Sequence, residues 1–358
     1  MTQKEIITAI HQYIQNENSH DFNELALMVF RFQYENNSPY QSFCIQKRKT
    51  PRTVKHWYDI PPVPIQAFKD VTLSCIDKND AEAIFMTSGT TKQIKGKHYH
   101  PTLDIFDASM TVNFQKRFMQ KQPFIKMGIL FPDELQMPNS SLARYLYLAK
   151  KTYGTKESHY LLTKDGIHTE LLVSELTRAE QTGEPYALLG ASYSFVHLLD
   201  YLQEKQLSFK LPEGSKFLDT GGYKNQSRHV EAAEFYNALN THLGVEKKDC
   251  INMYGMTELS TQFYDDGNDS DPSVKSGPHW IKTRVVNPLT GLDVPKGESG
   301  VLVHYDLANF NSAVAILTED LGKETDRGFL LLGRVKGSEQ KGCSLAVDEF
   351  LRFAKENS

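Results

Sequence analysis

The 358-residue chain is short of cysteine, of tryptophan, of long apolar runs and of net charge, and each shortage removes a class of protein. Its four cysteines, Cys44, Cys75, Cys250 and Cys343, stand far apart without CxxC or zinc-ligand spacing, so neither a disulfide framework nor a cysteine metal site is expected. No stretch approaches the roughly 18 to 20 apolar residues of a spanning helix, so no membrane span is expected. The opening Met1-Thr2-Gln3-Lys4-Glu5 lacks a basic flank before an apolar core. With reduced cysteines, that reads as a cytoplasmic protein. A net charge of -4, with basic residues spread along the chain, offers no general attraction for nucleic acid. One local exception, Lys47-Arg48-Lys49 to Arg52, reads as a solvated loop or a docking surface.

What is present suits a globular chain large enough for two unequal domains, with 40% hydrophobic and 23% charged residues. Apolar positions within residues 6–10 and 22–30 predict helices, and Pro61, Pro62 and Pro64 then impose a rigid extended connector. Residues 83–86, 124–131, 186–190 and 216–219 read as buried strands. Residues 195–202 and 228–242 between and after them have helical character. Such alternation predicts a mostly parallel sheet covered on both faces, with ligands beyond the carboxyl ends of its strands. After Pro278 the pattern changes to strands joined by tight turns, a smaller β-rich subdomain.

Four polar segments carry candidate chemistry. Thr87-Ser88-Gly89-Thr90-Thr91 places hydroxyls around one glycine, with Lys95 and Gly96 behind it. It reads equally as a phosphate-binding loop or an ordinary polar turn. Its pattern is not GxxxxGK[ST], so a P-loop fold is disfavoured. Tyr254-Gly255-Met256-Thr257-Glu258 follows a strand and offers a ring for a purine face, a hydroxyl for an α-phosphate and a carboxylate for Mg²⁺. The plain alternative is a strand-to-helix connection in which Thr257 or Glu258 caps the next helix. Asp320, in Thr318-Glu319-Asp320, can accept both ribose hydroxyls or simply form a turn. Arg334, after Gly333 at the end of a hairpin strand, suits a sugar-phosphate junction. Gly221-Gly222 permits close approach to a flat base, or is a flexible turn.

These segments, in this order, resemble the adenylate-forming superfamily of acyl-CoA ligases and firefly-type luciferases. The chain is similar above all to the acyl-protein synthetases of bacterial luminescence operons, in length and in Gly342-Cys343-Ser344 behind the arginine. The resemblance implies an α/β adenylate-forming fold: a large domain with mostly parallel sheets, a small β-rich subdomain and a strongly truncated C-terminal region. It implies helices and connector in 1–80, a nucleotide- and acyl-binding core in 81–277, a β-rich subdomain completing the nucleotide site in 278–334, and a short segment carrying Cys343 in 335–358. It departs from the superfamily pattern at Lys92, Ile94 and Gly337, and the long C-terminal domain with its lysine has no counterpart. Lys336, Lys341 or a partner's residue then stand as substitutes.

The activity so implied is ATP-dependent activation of a carboxylic acid, a fatty acid by the resemblance, as its acyl-adenylate, followed by transfer to a cysteine. Thr87, Ser88, Gly89, Thr90, Thr91 and Lys95 would serve the phosphates. Gly221, Gly222, Tyr254 and Gly255 would serve the base, Thr257 the α-phosphate, Glu258 the Mg²⁺, and Asp320 and Arg334 the ribose. Cys343 would be the acyl-accepting thiol, its pKa lowered by Lys336 and Lys341, or else a buried small hydrophobe. The acyl group would pass to a partner protein such as a reductase or transferase. Two alternatives stand beside this: a ligase joining an aryl or other small acid to coenzyme A or a carrier protein, and a non-catalytic nucleotide-binding scaffold. His98 and His100 read as local hydrogen-bonding residues, with no spacing that suggests a metal.

Overall fold

Three of the apolar runs, those at 124–131, 186–190 and 216–219, lie side by side as parallel strands, as their connection through returning segments allows. The computed structural model describes residues 2–87, 94–164, 166–222, 226–265 and 273–355. Contacts divide the chain into two compact units. One holds residues 2–112, 256–262 and 276–355, the other 113–255 and 263–275.

In the second unit the sheet order is Phe263–Tyr264, Cys250–Tyr254, Lys216–Thr220, Tyr186–Ala191, Lys126–Leu130, His159–Tyr160. All neighbours run parallel except the short Phe263–Tyr264 edge. Side-chain alternation divides the strands between two faces. Tyr186 and Leu188 enter an apolar cluster with Leu172, Leu176, Phe195 and Leu239 from the helices Thr169–Thr182, Ser192–Glu204 and Ala232–Leu243. Ala187 and Leu189 point the other way and are equally buried. Both faces are therefore covered, as continuous apolar strands require.

The first unit is built on an antiparallel sheet of Ile281–Val286, Ser299–Asp306, Ala315–Thr325 and Gly328–Arg334. The prolines of the connector do not exclude it from this sheet, because Val63–Pro64 lies at the edge, parallel to Ile316 and Leu317. Three helices, Gln3–Gln15, Phe22–Asn36 and Ser38–Gln46, precede it, the first closed by a capping box between Thr2 and Glu5. The N-terminal helices are tied to the β-rich part of the unit. Gln33 donates to the carbonyls of Asn309 and Phe310 and accepts from Val314 N, and Asn37 donates to Ser312 O, all buried. These bonds join residues expected in 1–80 to residues expected in 278–334.

Two local expectations differ. The run Ala83–Met86 does not enter the parallel sheet, but pairs only with Lys97–His100 in a two-stranded ribbon. Its burial is supplied by rings: Phe85 packs on His100 and Phe106 at centroid distances of 4.9 and 5.1 Å. The second difference is that Thr318-Glu319-Asp320 lies within a continuous strand, Ala315–Thr325, and not at its end. A register shift between Leu321 and Gly322 lets the strand run on.

Candidate active site

In the first unit, the ribbon brings the two ends of the hydroxyl-rich loop together. Thr87 N donates to Gly96 O at 3.0 Å, and Gly96 N donates to Thr87 Oγ1 at 2.9 Å. Thr87 thus anchors this end of the loop through its backbone N–H and its side-chain oxygen. Ser88, Gly89, Thr90 and Thr91 lie outside the described residues, and Lys95 is exposed just before Gly96. Gly96 admits a neighbour that a larger residue would crowd. A Cβ there would stand 3.2 Å from Thr87 Cγ2 and 3.4 Å from Glu258 Oε1.

Glu258 is 5% exposed. Burial pushes its carboxyl up to about 7, against the opposing pull of its own backbone N–H and of Arg334 and Lys69, while Asp320 adds to the rise. Lys69, half-buried on the short helix Ala67–Asp70, has no motif around it in the sequence and was not anticipated. Among the described residues no helix begins at or just after Glu258, so Thr257 and Glu258 are not helix caps. Thr257 O accepts from His98 Nδ1 at 3.0 Å, and His98 Nε2 accepts from Ser312 Oγ at 3.0 Å. Both ring nitrogens are therefore committed, and burial lowers the His98 pKa to about 4. Among the described residues no three His, Cys, Asp or Glu side chains gather to hold a metal.

Asp320 and Arg334 face one another across the Ala315–Thr325 and Gly328–Arg334 strands, with Asp320 Oδ1 3.1 Å from Arg334 Nε. Thr318 steadies this end of the hairpin. Its hydroxyl donates to Leu302 O and accepts from Asp320 N at 3.1 Å. Arg334 also meets Glu319 at 3.4 Å, and Glu319 accepts from Gln66 Nε2 at 2.8 Å. Gly333 holds φ at +108°, a left-handed conformation costly for other residues, so the Gly-Arg pair has a backbone reason.

Cys343 sits on the C-terminal helix Ser338–Lys355, 3% exposed, its thiol 3.8 Å from Thr318 O. Burial pushes the thiol up to about 11, and Glu319 and Glu339 push the same way. The expected lowering by Lys336 and Lys341 is absent, because both side chains are exposed and carboxylates face the sulfur instead. Burial raises the other three thiols further still. Beside this helix opens a cavity of about 620 Å³ with a mixed lining, Leu289, Leu317 and Leu345 together with the charged Lys47, Arg284 and Glu349.

The second unit holds the residues expected to face the base. Gly221 and Gly222 border open space, Gly221 at φ +76°, and Gly255 is exposed. Tyr254 is 8% exposed and packs its ring 5.8 Å from Phe263. Behind Gly221, Asp219 is buried and accepts from Ser192 Oγ, Tyr236 Oη and Asn252 Nδ2 at 2.7, 2.8 and 2.9 Å. Sequence reading passed over this network because its members are scattered along the chain.

A family model described as acyl-protein synthetase, LuxE, matches residues 8–352. The chain is similar to the long-chain-fatty-acid–luciferin-component ligase of Vibrio harveyi, 26% identical over 342 residues covering 91% of this chain and 87% of that protein. The ligase of the same description from Aliivibrio fischeri is 26% identical over 343 residues, with the same coverage. Among solved structures, 2-hydroxyisobutyryl-CoA ligase in an open conformation with 2-HIB-AMP and CoA superposes with a TM-score of 0.61, at 13% identity, over 87% of this chain and 74% of that one. The same ligase in its thioesterification state gives 0.61 at 16% identity, over 93% and 68%. The shared feature is the fold, an α/β adenylate-forming architecture with a β-rich subdomain. Among the described residues no helix is long and apolar enough to cross a membrane.

Proposed function

We propose that this chain, which belongs to the acyl-protein synthetase (LuxE) family and is an ATP-dependent adenylate-forming ligase, activates a fatty acid and then carries the acyl group on Cys343. The observation that supports this best is the Asp320–Arg334 pair, held across a strand hairpin in the unit that also buries Glu258 beside Gly96. A sugar-facing carboxylate, a fork-shaped cation and a carboxylate beside a glycine are the groups an acyl-adenylate needs around its ribose and phosphates.

In the first step a carboxylate oxygen attacks the α-phosphorus of ATP, the bond to the bridging oxygen breaks, and pyrophosphate leaves with that electron pair. Thr257 donates to the α-phosphate, and Asp320 accepts from the ribose hydroxyls. Arg334 offsets charge at the sugar-phosphate junction. Thr87 to Thr91 and Lys95 attend the departing phosphates. Their work is orientation and electrostatic stabilisation, the main levers for transfer to phosphorus.

Glu258 is the residue that would hold Mg²⁺. The fit rests on its burial, since a carboxyl pushed up to about 7 returns to its ionised form when a cation stands beside it. With no further cluster of ligands among the described residues, the remaining ligands would be phosphate oxygens and water, the usual habit of this ion. When bound it supplies charge neutralisation at the phosphates.

In the second step the Cys343 sulfur, having given up its proton to solvent, attacks the acyl carbon, and the carbon–oxygen bond to AMP breaks. This requires the C-terminal helix to expose a thiol that rests buried. An acyl-accepting protein such as a reductase or transferase would take the acyl group onward. The burial of Cys343 also favours a second reading, in which the adenylate discharges to an external thiol and Cys343 is structural.

The test is fatty-acid-dependent exchange of labelled pyrophosphate into ATP, followed by intact mass measurement. Exchange with an acyl mass on the chain supports the whole reading. Exchange with no acyl mass, and product only with coenzyme A or a carrier, selects the second. No exchange with any acid rejects both.

A further inference from the structure

The stretch that carries Thr257 and Glu258 has no helix or ladder of its own, yet Glu258, Leu259, Ser260, Thr261 and Gln262 are all buried. Buried irregular backbone must find hydrogen-bond partners somewhere, and here side chains provide them. Asn309 Nδ2 donates to Glu258 O at 2.8 Å while its Oδ1 accepts from Ser260 N at 2.8 Å. Asp306 accepts from Ser260 N, Thr261 N and Thr261 Oγ1 at 3.1, 2.9 and 2.7 Å, and from Ala308 N at 3.0 Å. Thr261 Oγ1 in turn meets Trp280 Nε1 and Ser109 Oγ, each at 3.0 Å. With His98 on Thr257 O, residues 257, 258, 260 and 261 are each gripped by a buried side chain.

We propose that Asn309, backed by Asp306, is a positioning residue that sets the carboxylate of Glu258 by fixing the main chain on which it stands. The chemistry at each position is demanding. Asparagine alone among residues of its size offers a donor to one carbonyl and an acceptor to an N–H two residues on. An aspartate at 309 would turn an oxygen toward Glu258 O. Asp306 meets only donors, so an asparagine there would turn its own N–H₂ toward one of them. The bond that matters most goes to the carbonyl of Glu258 itself, so a shift there moves the side chain beside Gly96.

The proposal rests on the role given to Glu258, and the test separates the two. Asn309→Asp, Asp306→Asn, Glu258→Gln and Tyr40→Phe are compared in the full chain. Tyr40→Phe removes a buried hydrogen bond to Pro61 O elsewhere in the same unit and controls for lost stability. Pyrophosphate exchange and calorimetric binding of MgATP are measured, with melting temperature for each variant. Expected are a tenfold to hundredfold loss of exchange for Asn309→Asp and Asp306→Asn, about the scale found when a supporting partner of a ligand residue is removed. The KM for the acid should hold, and Tyr40→Phe should exchange at the parent rate. In the Glu258→Gln background, Asn309→Asp should weaken MgATP binding no further. Parent exchange by folded Asn309→Asp, or equal losses in Tyr40→Phe at matched melting temperature, overturns the proposal. Parent exchange by Glu258→Gln overturns the role of Glu258 itself, whatever Asn309→Asp does.

Discussion

Arg334 Nε lies 3.1 Å from Asp320 Oδ1, directly across an antiparallel pair of strands. The Arg334 side chain is 66% exposed, so the pair contributes little to stability, about 0 to 1 kcal/mol. Asp320→Asn should raise the KM for ATP in pyrophosphate exchange by about tenfold to a hundredfold, the worth of a charge-assisted hydrogen bond or two, with melting nearly unchanged. Arg334→Lys keeps the charge and loses the fork, so it should fall between parent and Arg334→Ala. A KM unmoved in Asp320→Asn would remove Asp320 from the nucleotide site.

Glu258 gives a pH signature opposite to that of a paired carboxylate. Burial raises its folded-state pKa to about 7, above an unfolded value near 4.5. Between those values the folded chain holds a proton that the unfolded chain has lost, so stability falls as pH rises through the window. Without nucleotide and in chelator, Glu258→Gln should therefore match the parent near pH 4.5 and exceed it above pH 7, by at most roughly 3 kcal/mol. Urea unfolding at pH 5 and pH 8 checks it. The same variant should lose exchange.

For Cys343, burial decides reactivity. With its thiol pushed up to about 11, alkylation by iodoacetamide at pH 7 should be slow in the folded chain and fast once it is denatured. Peptide mass mapping distinguishes Cys343 from the other three. Cys343→Ser should keep pyrophosphate exchange and lose the covalent acyl mass; an acyl mass persisting in that variant would move the thioester elsewhere.

Two glycines of the second unit should part company. A methyl on Gly190 would stand 2.6 Å from Leu130 O in the adjacent strand, where neither backbone can give way. Gly190→Ala should cost about 1 to 3 kcal/mol in urea unfolding. Gly222 borders open space, so Gly222→Val should leave stability within about 0.5 kcal/mol and raise the KM for ATP if the base approaches there.

The parallel sheet was legible because its strands are continuous apolar runs, Tyr186–Ala191 above all, and such runs have few other uses in a polar chain. The ribbon Ala83–Met86 was misplaced for the same reason: four apolar residues look alike whether they join a sheet or lean on His100 and Phe106. Asp320 and Arg334 stood out as motif residues fourteen positions apart, a separation that a hairpin closes. Lys69, Asp306 and Asn309 did not, since a lysine in a short helix and two turn-forming residues carry no local pattern. Their significance comes from what folds against them. Nor did sequence neighbours decide the environment of Cys343. Lys336 and Lys341 are near in the chain, but burial, with the charges of Glu319 and Glu339, raises the thiol instead.

The polypeptide passes between its two units four times, at 112/113, 255/256, 262/263 and 275/276. Neither half can be excised by trimming one end, since the first unit is assembled from three pieces of chain and the second from two. The shortest excursion, residues 256–262, brings Glu258 along with it. Random insertions should be rejected throughout that passage, whereas a tag after the last helix reaches no crossing point at all.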